Sequence, residues 1–103
     1  MKLFNIDYIP GSEIEALGLV KGMTVHSKNL GRDIMAGFKT LVGGEIKSYT
    51  MLLKEAREIA TQRMIEEAEK LGADAVVNVR YGSSSVMQGA AELVAYGTAV
   101  KIK

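Results

Sequence analysis

The chain has no cysteine and a single histidine. The first absence excludes disulfides, thiolate zinc sites, iron–sulfur clusters and cysteine nucleophiles. The second excludes any mechanism or metal site that needs two imidazoles from one chain. One proline and an ordinary 11 glycines argue against collagen-like and low-complexity chains. No apolar run approaches the ~18 residues of a spanning helix. The N-terminus lacks the apolar core of a secretion signal. A cytoplasmic protein with no membrane partner is therefore expected. Thirteen basic residues against twelve acidic ones give a net charge of +1. The basic residues are dispersed among acids, which argues against a nucleic-acid surface. What remains is 103 residues, 48% of them hydrophobic, the size of one domain spanning 1–103.

Leu3 to Ile9 alternate in polarity, which predicts a half-buried strand ended by Pro10-Gly11. Glu15 to Ser27 carries Gly18 and Gly22, which disfavour a helix. It reads as a strand with a bend or bulge near the glycines, with Leu17, Leu19, Met23 and Val25 of one parity. Ile34, Met35, Phe38, Leu41 and Val42 have helical spacing, and Gly43-Gly44 supplies an end. From Ser48 to Leu71, the residues Leu53, Ala56, Ala60, Met64, Ala68 and Leu71 form one stripe of a long helix. Ser48 fits an N-cap and Gly72 a C′ position. Lys54–Glu58, Arg63–Glu67 and Glu66–Lys70 are spaced to pair across the solvated face.

After Asp74 the period returns to two. Ala75 to Tyr81 reads as a strand, Gly82 to Gly89 as a hairpin tip, and Glu92 to Ile102 as a second strand. The order β-β-α-α-β-β predicts an α+β fold, an antiparallel sheet carrying a helical hairpin. The last strand is apolar on both faces and needs cover on both. One long helix cannot supply it, so another copy of the chain is the simplest cover. The pattern predicts a homo-oligomer.

The chemistry is sparse. No histidine is placed to activate Ser83, Ser84 or Ser85, and no catalytic residue is assigned. Gly43-Gly44-Glu45-Ile46-Lys47-Ser48 ends like a phosphate loop but lacks the glycine before Lys47, and reads as a turn between helices. His26 is the one imidazole available to a metal; in a symmetric oligomer several copies of it would meet. Asn29, Arg32, Asp33, Tyr49 and Arg57 are the candidate ligand-binding residues. They read more readily as a structural network that fixes the hairpin or a subunit contact, since ion-pair networks also gather charges this way.

Several of these residues fall in an ordered set of motifs. Asn29-Leu30-Gly31-Arg32-Asp33 is followed by Val42-Gly43-Gly44, Tyr49, Leu53 with Glu55-Ala56-Arg57, and Met64 with Glu66-Glu67-Ala68. Gly72-Ala73-Asp74-Ala75-Val76-Val77 and Gly97-Thr98-Ala99-Val100 complete it. In this order and spacing the chain resembles the YbjQ-like family of uncharacterised small bacterial and archaeal proteins, which carries the label "putative heavy-metal-binding". The resemblance implies a dodecin-like subunit that assembles into a ring, a pentamer or a decamer. It carries no catalytic residues over. Three functions follow as expectations: a non-enzymatic ring-forming protein that binds a small ligand or acts as a scaffold, a heavy-metal-binding protein, or an enzyme with a site between subunits.

Overall fold

The computed structural model describes residues 1–27, 45–87 and 90–103. Its elements are β1 (Lys2–Leu3), β2 (Ile14–Ser27), α1 (Glu45–Lys70), β3 (Ala75–Met87) and β4 (Ala90–Ile102). They form one four-stranded sheet of order β1-β3-β4-β2. The neighbours β2–β4 and β3–β4 are antiparallel, as the short connection between the last two strands required. β1 runs parallel to β3.

The expected antiparallel sheet with a helical hairpin, β-β-α-α-β-β, is thereby corrected. The sheet is mixed, and the described residues follow the order β-β-α-β-β. The short helix expected from Ile34 to Val42 lies outside the described residues. The first strand is also shorter than its alternation suggested. It stops at Leu3, and residues 5–8 form a bend.

The cause of the parallel edge lies in β3. Asn78 and Val79 together oppose Gly97, a bulge that takes Asn78 to φ 57°. Asparagine tolerates that left-handed conformation better than most residues. The bulge presents two N–H groups to the N-terminal segment: Asn78 donates to Ile6 at 2.8 Å and Val79 to Phe4 at 2.9 Å. Phe4 in turn donates to Val76 at 2.9 Å.

α1 begins at Glu45, so Ser48 stands inside the helix and not at its cap. Its other end is as expected. Gly72 takes φ 76°. Ala73 donates to Ala68 at 3.1 Å and Gly72 to Glu69 at 3.0 Å, the paired bonds of a Schellman ending. The buried stripe is Leu52, Ala56, Ala60, Met64 and Ala68. Leu53 and Leu71, one residue off that i+4 row, are exposed. Alanines on the stripe bring α1 very close to the sheet. A Cβ on Gly22 of β2 would overlap the Ala60 carbonyl oxygen and the Met64 nitrogen.

The core has two parts. On the helix side, Val20, Ala60, Met64, Ala68, Val76, Val79, Ala95 and Ala99 pack together. On the opposite face Ala75, Val77 and Val100 are covered by Phe4, Ile9 and Ile14. The second face of β4 thus takes part of its cover from the chain's own N-terminal segment. The bulge expected near the glycines of β2 falls between Ala16 and Gly18. Ser83 to Ser85, expected in a loop, are paired strand residues of β3.

Candidate functional site

Two surfaces stand out. The first is a groove between α1 and β3. α1 lies over β2 and β4 and barely meets β3. The space left is a groove of about 440 Å³ lined by Lys54, Arg57, Glu58, Thr61, Gln62 and Tyr81. The five helical residues fall at i, i+3, i+4, i+7 and i+8, which is one face of a helix. Tyr81 reaches them from β3, where its side chain points to the helix side of the sheet.

The hydrogen bonds across the groove fix a polarity. Thr61 Oγ1 donates to the Arg57 carbonyl at 2.7 Å and lies 2.8 Å from the Tyr81 hydroxyl. A threonine hydroxyl has one proton. With that proton on the Arg57 carbonyl, the Tyr81 hydroxyl must donate to Thr61. The Tyr81 oxygen then offers only lone pairs to the groove.

The ionic pairs expected along α1 are rearranged. Among the described residues the side-chain ion pairs are Lys70–Glu67 at 3.2 Å and Lys101–Asp74 at 3.5 Å. Lys54–Glu58, Arg63–Glu67 and Glu66–Lys70 do not close. Arg63 instead donates to the Met23 carbonyl on β2 at 2.7 Å. Lys54 and Arg57 line the groove and form no ion pair among the described residues.

The second surface is the sheet face turned away from α1. Val20, Gly22 and Thr24 of β2 face the helix, so Leu19, Met23 and Val25 face the other way. Leu19 is 70% exposed, Val25 54% and Met23 42%. Tyr96 and Val94 of β4 stand opposite Lys21 and Met23 in the ladder and continue the patch. β2 is an edge strand, so the patch runs along the margin of the sheet.

Of the five candidate ligand residues, Arg57 lines the groove. Tyr49 belongs to α1, eight positions earlier, about 12 Å along the axis at the rise of an α-helix. Asn29, Arg32 and Asp33 lie outside the described residues. His26 is the penultimate residue of β2, in register with Ala91. Lys54, Glu58, Thr61, Gln62 and Tyr81 were not singled out by the sequence. Their signal was a polar helical face at i, i+3, i+4, i+7 and i+8, which resembles any solvated face until a strand partner is known.

The model of the YbjQ family, described as "Putative heavy-metal-binding", matches residues 1–103. The chain belongs to this family. Among relatives of this YbjQ-family protein, a UPF0145 protein of Pseudothermotoga lettingae is 69% identical over 104 residues, covering 100% of this chain and 98% of its own. A UPF0145 protein of Clostridium novyi is 63% identical over 102 residues, covering 99% of each. A solved structure from Pediococcus pentosaceus, titled a protein of unknown function of the DUF74 family, aligns with TM-score 0.70 at 13% identity. It covers 100% of this chain and 98% of its own, and it shows the shared fold.

The family description names heavy metals. The donors of this YbjQ-family chain fit them poorly. There is no thiolate and one imidazole. Among the described residues no three of His, Cys, Asp or Glu come together to hold an ion. Soft metals want sulfur or nitrogen ligands in a closed set. No helix among the described residues is long and apolar enough to cross a membrane.

Proposed function

We propose that this YbjQ-family protein is a non-enzymatic, self-associating protein whose subunits close into a ring of five or ten copies, with a binding or scaffold role. The observation that carries the reading is the uncovered apolar patch of Leu19, Met23, Val25 and Tyr96 on the sheet. Burying an aliphatic side chain fully is worth about 2 kcal/mol. Scaled by their exposures, Leu19, Met23 and Val25 together offer roughly 3 kcal/mol per subunit on the same basis.

The occupant is a second copy of the chain. The patch lies on one margin of the sheet and carries both signs of charge on the same face, Lys21 from β2 and Glu92 from β4, which suits a neighbour of identical sequence. An edge of one subunit meeting the face of the next is a head-to-tail contact. Head-to-tail contacts form rings when the rotation closes.

Native mass spectrometry tests the reading, with Leu19→Asp as the variant. Leu19 is largely exposed, so the change leaves the subunit folded by circular dichroism. The parent is expected as five or ten copies and the variant as a monomer. A monomeric parent overturns the proposal. So does a variant that assembles as well as the parent.

A further inference from the structure

The geometry points to the α1–β3 groove as a binding site for a small hydroxylated aromatic carboxylate. This deepens the binding role proposed above and does not depend on the ring. Four features of the groove select that class.

Lys54 and Arg57, which form no ion pair among the described residues, bring two cations to one wall, and an arginine fork matches a carboxylate in shape and charge. Glu58 stands beside them. It disfavours doubly charged anions, so a carboxylate is preferred to phosphate. The Tyr81 oxygen, its proton spent on Thr61 at 2.8 Å, accepts but cannot donate. A ligand must therefore bring its own donor, a hydroxyl, to that end of the groove. Between the two ends lie the half-exposed Tyr81 ring and the methylene stems of Lys54 and Arg57. A flat apolar body packs on such a surface, and an arginine adds its attraction for an aromatic face. The volume of about 440 Å³ falls within the range of small-molecule sites.

The probe is 3-hydroxybenzoate, titrated into the whole protein and followed by the backbone amide signals in NMR. Benzoate lacks the donor, and 3-hydroxybenzamide lacks the charge. Saturable shifts are expected at Arg57, Thr61 and Tyr81. Each comparator, and inorganic phosphate, is expected to bind about ten-fold more weakly, the usual scale for one charge-assisted or one neutral hydrogen bond. Arg57→Gln is expected to lose about the same factor. Tyr81→Phe removes the acceptor, so it should abolish the preference for 3-hydroxybenzoate over benzoate while leaving carboxylate binding in place.

The assignment is overturned if no saturable shift appears, or if the shifts map elsewhere. It is also overturned if 3-hydroxybenzamide or phosphate binds as tightly, or if Tyr81→Phe keeps the preference. The subunit count of the same sample separates the two proposals. A monomer that binds the probe keeps the site and removes the ring. A ring that ignores the probe removes the site and keeps the scaffold.

Discussion

Gly22→Ala tests how closely α1 is held to the sheet. A Cβ built on Gly22 lies 2.7 Å from the Cβ of Arg63 and closer still to the Ala60 oxygen and the Met64 nitrogen. Ordinary contact begins at 3.4 Å, so helix and strand must part by at least the 0.7 Å between those figures. Two of the three obstacles are backbone atoms, which no rotamer change can move. The separation falls on Ala60 and Met64, both fully buried, in a core packed too densely to absorb it. It also stretches the bond from Thr24 Oγ1 to the Ala56 carbonyl, already 3.4 Å long. Overpacking of this kind costs about 3 kcal/mol, the upper part of its usual range. In a domain of this size that lowers Tm by about 10–20 °C. Urea and thermal unfolding at one fixed subunit concentration measure the loss, because assembly shifts apparent stability with concentration. Gly82→Ala is the control: its Cβ meets only Val94 Cγ1 at 3.6 Å. It should stay within about 0.5 kcal/mol of the parent. The reasoning is refuted if Gly22→Ala is as stable as the parent, or if the control is equally damaged.

Two further substitutions probe the same core and its boundary. Met64→Ala removes one of the largest fully buried side chains among the described residues, on the buried stripe of α1, and should cost about 3 kcal/mol, read as a lower urea midpoint at constant slope. Gly72→Ala forces a side chain to φ 76° at the Schellman ending and should cost about 1 kcal/mol in thermal unfolding, with no change in helix content by circular dichroism.

The parts of the fold legible in the sequence are those whose signal is local. Ala56, Ala60, Met64 and Ala68 recur every four residues, and only a helix puts such residues on one face. Gly72 marked the helix end because a left-handed residue there has few alternatives to glycine. The bulge of β2 announced itself through Gly18. The mixed sheet had no such signal. β1 is two residues long, too short for a period, and its parallel direction depends on N–H groups freed by a bulge at Asn78, seventy-five residues away in sequence from Leu3. The serines at 83–85 look like a turn because small polar residues favour turns. They are strand because Leu93 and Glu92 of β4 hold the ladder beside them.

The apolar row of β2 was legible but its direction was not. Leu17, Leu19, Met23 and Val25 share one parity in the sequence, but the bulge between Ala16 and Gly18 leaves Leu17 on the helix-side core, and hydrophobicity alone would turn the remaining row of Leu19, Met23 and Val25 toward the helix too. α1 packs instead on Val20, Gly22 and Thr24, because a row of small residues lets two backbones approach. The candidate site was least legible of all. Arg57 was visible as a charge at the margin of a stripe, while its partners needed the strand that carries Tyr81.

The groove and the uncovered face have one origin. Gly22 and the alanines of α1 and β4 let the helix sink onto the β2–β4 side of the sheet. On the β3 side the corresponding position carries Tyr81, whose hydroxyl lies 2.8 Å from Thr61 Oγ1. The helix lies over β2 and β4 and barely meets β3, which leaves a space lined by whatever the helix presents at that flank. Here it presents two cations, a carboxylate and a hydroxyl. The preference for small residues over large ones facing the helix also sends Leu19, Met23 and Val25 to the opposite face, where the N-terminal segment covers only the end around Val100. Packing demands at the helix thus set both the recess and the exposed patch, and a substitution that lifts the helix, such as Gly22→Ala, should alter the groove as well as the stability.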